Sequence, residues 1–178
     1  MKYIEILIQF KYTKGDEGML YVEEVAELFE RGKGMYLAHC ISNDFVLDEG
    51  IAKNFGDMGV TQLLEENSLN GKKRPMPCCI ETTAGKAKNE YKGVFNLVTK
   101  EKYWEKSTYE AIRVALYDMR NQIEQKRQED EWEINVCMPL IGSGFEGLAW
   151  AKIRDIITEV FLSEDILIIV CRLTPEEW

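Results

Sequence analysis

The sequence predicts a three-layer α/β/α domain, in which helices cover both faces of a mixed, mainly parallel sheet. Apolar runs of strand length alternate with amphipathic segments of helical period, and turn residues separate them. The apolar runs are nearly continuous rather than alternating, which is typical of strands buried on both faces. In such sheets, ligands bind beyond the carboxyl ends of the strands.

In the N-terminal half, the isoleucine-rich run 2–12 predicts the first strand. Apolar residues then recur at helical spacing and predict a helix over 22–29, carried by Val22, Val25, Ala26 and Phe29. The apolar run 35–41 predicts a buried strand. A polar, glycine-bearing loop follows it, and short helices are predicted over 51–55 and 60–66.

The C-terminal half repeats this alternation with clearer signals. Strands are predicted over 94–99, 133–140 and 166–173, and the candidate strand 78–82 precedes them. Ser107 and Glu110 form a capping box that predicts the start of a long helix, and a second helix carries Ile153, Ile156, Ile157, Val160 and Phe161 on one face. We expect a single domain over 1–178, with a helical insertion near 19–33 and an irregular loop near 67–90.

Composition limits the classes of partner. The 178 residues carry 22 Lys and Arg against 31 Asp and Glu, a formal net charge of −9. A surface that binds nucleic acid through its general field has the opposite sign, so we expect no such surface. No apolar run has the roughly 18 residues that would span a bilayer, and we expect no membrane partner.

The cysteines and the single histidine argue against a metal site. Five cysteines, an odd number, fall largely in apolar segments, and the Cys78-Cys79 pair lacks the spacing of a zinc motif. His39 lies within an apolar run, where a hydrogen-bonded core histidine is expected. We therefore expect free thiols, no metal, no cofactor and a reducing, cytoplasmic location.

Two glycine-bearing turns are candidates for anion binding. After Leu140, Gly142 and Gly144 free the backbone to approach a ligand, and the N-terminal amides of a helix follow. The turn is neither a P-loop nor a Rossmann fingerprint, and a purely structural turn is the alternative. The loop after the strand 35–41 reaches a helix at Gly50 and offers a second such turn, or a plain surface loop.

Two charged residues stand beside these turns. Lys100 ends the strand 94–99 at the carboxyl edge, where it could neutralise a phosphate or attack an electrophilic carbon. Glu146 lies within the turn after Leu140, called the second glycine turn because it follows the first one, at Gly50, along the chain, and a carboxylate there suggests catalysis. The plain alternatives are a solvated surface lysine and a carboxylate favoured by a helix N-terminus.

Together these segments resemble the macro domain. AHCIS, GIAKNF, NLVTK, KSTYEAI and MPLIGSGFEGLAW occur in order between about Tyr36 and Leu173. They are most similar to the branch that contains the terminal ADP-ribose protein glycohydrolase and its bacterial relatives. The resemblance implies a cleft in which both glycine loops grip ADP-ribose through backbone amides.

The resemblance also implies roles for individual residues. In that branch a lysine and an aspartate carry catalysis, and Lys100 and Glu146 fall on those positions. The implied ligand-lining residues are Asp16, Ser42, Gly50, Ile51, Ala52, Thr99, Pro139, Leu140, Ile141, Gly142, Ser143, Gly144 and Phe145. Asp16 enters because the family has a Gly-Asp pair after its first strand whose aspartate recognises adenine, and Gly15-Asp16 resembles that pair.

Two positions depart from the family pattern. Glu146 is one methylene longer than the usual aspartate, and Asp48-Glu49-Gly50 stands where relatives have Gly-x-Gly. The resemblance implies an enzyme that removes ADP-ribose from a modified macromolecule to which it is joined by an ester or base linkage. We expect the chain to be a monomer. A module that only binds ADP-ribose and a phosphatase acting on ADP-ribose 1″-phosphate are the alternatives.

Overall fold

The computed structural model describes residues 5–14, 17–68 and 75–173. Within them lie seven strands, β1 (Glu5–Lys14), β2 (Glu17–Val25), β3 (Tyr36–Ser42), β4 (Cys78–Thr82), β5 (Gly93–Lys100), β6 (Asn135–Met138) and β7 (Ile166–Arg172). The helices of the same residues are α1 (Leu28–Arg31), α2 (Gly50–Asp57), α3 (Val60–Ser68), α4 (Tyr109–Gln128) and α5 (Trp150–Phe161), with a 3₁₀ turn at Gly85–Ala87. None of the helices in this part of the chain is both long and apolar enough to cross a membrane.

The described strands form one sheet in the order β1-β2-β7-β6-β3-β5-β4. The five central strands are parallel, and the two outer strands, β1 and β4, pair antiparallel with their neighbours. The carboxyl ends of β3, β5 and β6 therefore lie at one edge of the sheet, which confirms the predicted mixed, mainly parallel arrangement.

Helices pack on both faces of the sheet. On one face, α4 and α5 bury Leu116 and Ile157 against Phe95 of β5. On the other face, α2 and α3 bury Phe55 and Leu64 in a second cluster. Alternate residues of β5 enter the two clusters, as expected when both faces of a strand are covered. The three-layer prediction is confirmed.

The helix predicted over 22–29, and with it the helical insertion near 19–33, is wrong. Residues 17–25 form strand β2, and α1 contains only four residues. Tyr21, Val22, Glu23 and Glu24 are all buried in succession, so the strand is covered on both faces. Arginine side chains pair with both glutamates and make their burial possible.

Residues 67–90 contain more order than predicted. They include the end of α3, the 3₁₀ turn and β4, which confirms the candidate strand 78–82. Residues 69–74 lie outside the described part of the chain.

Strand β4 lies at the edge of the sheet, and α4 covers part of that edge. Asp118 Oδ2 accepts the backbone N–H of Cys79 at 2.7 Å, and Gln122 Nε2 donates to the Cys79 carbonyl at 2.7 Å. Helical side chains therefore take up both outward backbone groups of this strand residue.

Candidate functional site

A cavity of about 560 Å³ opens at the carboxyl ends of β3 and β5. Its volume is in the range of small-molecule sites. The lining residues come from β3, the loop into α2, the loop after β5 and the second glycine turn: Cys40, Ile41, Ser42, Val46, Leu47, Asp48, Glu49, Ala52, Lys100, Tyr103, Trp104, Phe145 and Glu146. The segments containing the two glycine turns thus contribute to one cavity.

Lys100 and Glu146 form an ion pair in this cavity. Lys100 Nζ lies 2.6 Å from Glu146 Oε1, and the side chains are 11% and 10% exposed. Lys100 Nζ also lies 4.7 Å from the centroid of the Phe145 ring, within the range of a cation–π contact. An amine, a carboxylate and an aromatic face are therefore concentrated at one point of the lining.

The second carboxylate oxygen of Glu146 binds the start of α4. Glu146 Oε2 accepts the backbone N–H of Ser107. The predicted cap at Ser107 is wrong by one residue, because Thr108 caps α4 and its Oγ1 accepts the N–H of Ala111 at 3.1 Å. Ser107 is thus free to hold Glu146.

Behind this contact lies Thr99. Its Oγ1 is 2.5 Å from Ser107 Oγ, and both residues are buried. Thr99 is not among the residues that line the cavity. Its observed contact supports the position of Ser107.

The first glycine turn leads directly into α2. Gly50 has a φ of +58°, which a residue with a side chain rarely adopts. Glu49 occupies the N-cap position and makes no side-chain hydrogen bond to the helix. The first-turn amides of α2 therefore donate no hydrogen bond to the N-cap side chain. Ala52 lines the cavity, and Ile51 is 38% exposed.

Two acids stand beside the first turn. Asp48 and Glu49 both line the cavity, as the departure from Gly-x-Gly suggested. A pyrophosphate bound here would meet carboxylates as well as amides, which must limit its affinity.

The second glycine turn is partly buried. Ile141, Gly142 and Ser143 are buried, and the N–H groups of Ile141 and Ser143 donate to carbonyls of the same turn. These two amides are engaged, so the predicted grip cannot use every amide of the turn. Pro139 and Leu140 are half-buried and are not among the residues that line the cavity.

A side chain would be accommodated differently at the two glycines of this turn. At Gly142, φ is +74° and a Cβ would lie 2.7 Å from Ile112 Cδ1, so the fold itself requires glycine there. Around Gly144 the space is open and no atom would lie within 4 Å of a Cβ. Between them, the buried Oγ of Ser143 has no hydrogen-bond partner among the described residues.

A third loop, 101–106, was missed by the sequence analysis as part of the site. Tyr103 and Trp104 line the cavity beside Lys100, although 53% and 60% of their surfaces are exposed. Their rings meet edge to face, with centroids 5.1 Å apart. The sequence signal that could have identified this loop as part of the site is its pair of adjacent aromatic residues within a charged run.

Asp44 connects this loop to the first one. Its Oδ1 accepts from Ser42 Oγ, and its Oδ2 accepts the backbone N–H of Tyr103 at 3.1 Å. Although partial burial raises the pKa of Asp44, these hydrogen bonds outweigh it and hold the pKa below its ordinary value. Ser42 therefore lines the cavity with its hydroxyl already engaged.

His39 is a core histidine, as predicted. Its Nε2 donates to Asn96 Oδ1 at 2.6 Å, and its ring stacks on Phe55 at 3.8 Å. Burial lowers its pKa to about 4, so the ring is neutral at physiological pH. The neighbouring Cys40 lines the cavity, but burial and the nearby Glu146 raise its pKa to about 12. Its thiolate is therefore not a candidate nucleophile.

The other cysteines also bear no sign of a metal site. All five are free thiols, and the described residues contain no group of three or more His, Cys, Asp or Glu side chains that could hold a metal.

The residue predicted to recognise adenine, Asp16, lies outside the described residues. The parallel part of the sheet begins with β2 rather than β1. A carboxylate, Glu27, follows β2 and caps α1 by accepting the N–H groups of Phe29 and Glu30 at 3.0 and 2.8 Å. The helix predicted over 22–29 concealed this strand end from the sequence analysis.

No model of a known protein family matches the chain. The protein named ADP-ribose glycohydrolase OARD1 from Bos taurus is 32% identical over 165 residues, covering 90% of this chain and 97% of that protein. Its namesake from Homo sapiens is 32% identical over 166 residues, covering 91% of this chain and 90% of that protein.

Solved structures share the fold at lower identity. The macrodomain of Thermus aquaticus DarG superposes with a TM-score of 0.71 at 20% identity, covering 87% of this chain and 99% of that chain. Thermosipho africanus DarTG in complex with ADP-ribose gives a TM-score of 0.65 at 17% identity, covering 96% of this chain and 47% of that chain. With two relatives about one-third identical over nine-tenths of its length, and with this fold, the chain belongs to the macrodomain family.

Proposed function

We propose that this macrodomain binds ADP-ribose in the cavity beside its two glycine turns and removes it from modified macromolecules. The observation that carries the proposal is the Lys100–Glu146 pair, which is nearly buried and lines the cavity. The two OARD1 relatives are named ADP-ribose glycohydrolases, and one structural neighbour was solved with ADP-ribose. Both support the assignment of the ligand.

Backbone donors and a buried hydroxyl bind the pyrophosphate in this proposal. The first-turn amides of α2 and the open backbone at Gly144 offer N–H groups, and Ser143 Oγ offers a buried hydroxyl that has no partner among the described residues. These are local, uncharged donors, which a protein of net charge −9 needs in order to hold an anion. Ala52 and Phe145 line the cavity, and Ile51 is exposed next to Ala52 in the sequence.

Lys100 and Glu146 perform the chemistry. Glu146 takes a proton from the Lys100 ammonium, which frees the amine lone pair. The amine attacks C1″ of the distal ribose, and the bond from C1″ to the modified side chain breaks with its electron pair leaving on the side chain. Water then supplies a hydroxyl to C1″ and a proton to the departing lysine nitrogen, which releases ADP-ribose and restores the Lys100 ammonium. Glu146 gives its proton to the departing side chain and is a carboxylate again.

The longer carboxylate at 146 fits this scheme because Ser107 holds it. Glu146 contacts Lys100 through one oxygen and the Ser107 amide through the other. The extra methylene is thus taken up between β5 and the start of α4, and the carboxylate still contacts the amine.

At the adenine end, Asp16 stays a prediction from the resemblance, and we propose Glu27 as a second candidate. Glu27 is exposed at the end of β2, the first strand of the parallel part of the sheet. Its carboxylate has lone pairs beyond those used to cap α1, and these can accept the exocyclic amine of adenine.

The test uses a peptide that carries ADP-ribose on a glutamate side chain. Wild type should release ADP-ribose, whereas Lys100→Ala and Glu146→Ala should lose at least about 100-fold of the rate because each removes a reacting group. Lys88→Ala, an exposed lysine outside the cavity lining, is the matched control and should retain the wild-type rate.

Two other outcomes would identify the alternatives. Binding of ADP-ribose without release by wild type would leave a non-catalytic module. Phosphate release from ADP-ribose 1″-phosphate, with no release from the peptide, would identify a phosphatase. The monomeric state and the cytoplasmic location stay predictions, and gel filtration tests the first of them.

A further inference from the structure

Two buried hydroxyl groups contact each other behind the ion pair of the cavity. Thr99 Oγ1 lies 2.5 Å from Ser107 Oγ, and the two residues are only 2% and 4% exposed. Thr99 directly precedes Lys100 on β5, and the backbone N–H of Ser107 donates to Glu146 Oε2. The hydroxyl contact therefore connects the residue before the amine to the residue that holds the carboxylate.

These residues form a closed cycle of contacts. The ion pair joins Lys100 to Glu146 at 2.6 Å. The Ser107 amide binds the other oxygen of Glu146, and the Ser107 hydroxyl returns to Thr99. The peptide bond from Thr99 to Lys100 completes the cycle. If the hydroxyl contact opens, Glu146 stays bound to Ser107, but this contact no longer ties Ser107 to β5.

The local structure around Ser107 makes this tie important. Residues 101–106 are all exposed, and Ser107 is the first buried residue after them. Thr108 caps α4, so Ser107 lies before the helix and the hydrogen bonds of the helix do not fix it. The contact with Thr99 anchors the end of an exposed loop to a buried strand.

We propose that Thr99 is a positioning residue, which holds the Glu146 carboxylate at hydrogen-bond distance from the amine through the hydroxyl of Ser107. The proposal rests on the proposed function and gives Thr99 a part in the chemical step. The resemblance implies that Thr99 lines the ligand site, but Thr99 is 2% exposed and is not among the residues that line the cavity. Its hydroxyl therefore acts on the proton transfer and not on ADP-ribose.

The expected effect falls on the rate. In the proposed reaction Glu146 takes a proton from Lys100, and a misplacement of about 1 Å can lower a rate about 100-fold. Loss of the hydroxyl contact loosens the carboxylate through one intermediate residue and leaves the ion pair available, so we expect a smaller loss. The glycine turns bind ADP-ribose in the same proposal, and its Kd should stay unchanged.

The test compares variants that remove or keep the hydroxyl contact, with a peptide that carries ADP-ribose on a glutamate as substrate. Thr99→Val and Ser107→Ala each remove one hydroxyl and should each lower kcat about tenfold. Thr99→Ser keeps the hydroxyl and should recover most of the rate. The double variant should lose no more than either single variant, because both substitutions remove the same contact.

Thr82→Val is the matched control. Thr82 is 8% exposed, its Oγ1 accepts from Asn96 Nδ2 at 3.1 Å, and it pairs with Val94 near the amino end of β5. The substitution removes a buried, hydrogen-bonded hydroxyl outside the cavity lining, so it should lower the unfolding temperature and leave kcat unchanged. Calorimetry should give the wild-type Kd for ADP-ribose in every variant, which also shows that the variants fold.

A second measurement is independent of catalysis. Hydrogen exchange of the Ser107 amide, followed by NMR in the free protein, reports on its bond to Glu146. The exchange should be faster in Thr99→Val than in wild type, and Thr99→Ser should restore the protection.

Three results would overturn the positioning role while the proposed function stands. The first is wild-type kcat in Thr99→Val, and the second is a weakened Kd with unchanged kcat, which would mean that Thr99 contacts the ligand. The third is a loss in the double variant equal to the product of the single losses, which would mean that the two hydroxyls act separately. If wild type released no ADP-ribose, the proposed function would fail, and unchanged exchange of the Ser107 amide in Thr99→Val would overturn the contact's role separately.

Discussion

Lys100 and Glu146 are 46 positions apart in the sequence, yet Lys100 Nζ lies 2.6 Å from Glu146 Oε1 and only about a tenth of each side chain is exposed. Glu146 also accepts the backbone N–H of Ser107. One carboxylate thus joins the end of β5, the second glycine turn and the start of α4. The geometry on which the proposed catalysis rests depends on the length of this side chain.

Shortening that side chain should impair catalysis more than binding. Glu146→Asp keeps the charge but cannot contact both Lys100 and Ser107, so the carboxylate should move by about 1 Å and the rate of ADP-ribose release should fall roughly 10- to 100-fold. Single-turnover release assays measure the rate, and calorimetry should find the Kd for ADP-ribose little changed. Glu105→Asp removes a methylene from an exposed loop residue and serves as the control. Wild-type turnover by Glu146→Asp would contradict the bridging role.

A side chain at Gly144 should block the ligand. The space around this glycine is open, so Gly144→Glu should fold, but its carboxylate would occupy the phosphate path and repel the anion. Calorimetry should detect no ADP-ribose binding, and thermal unfolding should stay near that of wild type. Leu162→Glu adds the same charge after α5 and should bind normally. Undiminished affinity in Gly144→Glu would count against the proposed cleft.

Neutralising the buried carboxylate of Glu23 should strongly lower the free energy of unfolding. It is fully buried, and it accepts from Tyr21, Trp150, Arg154 and Arg172. Glu23→Gln would leave two arginines without their counter-charge and should lower the free energy of unfolding by about 3 kcal/mol.

Urea denaturation measures this change. Glu30→Gln, at an exposed ion pair, should alter the free energy of unfolding by less than about 0.5 kcal/mol. Equal stability of the two variants would mean that the buried network contributes little.

His39 should make the protein less stable in acid. Burial lowers its pKa to about 4, whereas the unfolded chain has a pKa of about 6.5. Between these values the unfolded state binds the extra proton, so the free energy of unfolding falls as the pH decreases, by up to about 1.4 kcal/mol per pH unit. Above pH 6.5 the contribution is constant.

His39→Gln removes this titration. Denaturation at pH 7.5, 6 and 5 should show the stability difference between wild type and variant shifting in favour of the variant as the pH falls. Parallel profiles over this range would show that His39 is not the group responsible.

Much of the fold could be predicted because the central strands are apolar on both faces and the later helices have clear periodicity. Strand β2 (17–25) could not be predicted, because Glu23 and Glu24 interrupt its apolar run and leave apolar residues at helical spacing around Val22 and Val25. Their burial depends on Arg154, Arg172 and Arg31, which lie on other elements of the chain. A local pattern cannot reveal such partners.

The site shows the same division. Parallel strands bring their carboxyl ends together, so the meeting of the two glycine turns near Lys100 followed from the predicted topology. That Thr108 rather than Ser107 caps α4 did not follow from it, because the Ser107 hydroxyl contacts Thr99 and the Ser107 amide binds Glu146, both on other elements. The place of Tyr103 and Trp104 depends likewise on Asp44, a contact across 59 positions.

The covering of β4 by α4 also affects whether another chain can pair with this edge of the sheet. An open strand edge offers hydrogen-bond positions to any extended chain in solution, and this is a common route to aggregation. Here Pro77 has no N–H to offer, and both outward groups of Cys79 are already bonded to Asp118 and Gln122. An incoming peptide would find the backbone groups of Cys79 already bonded and no N–H at Pro77, which disfavours extension of the sheet along this part of its border.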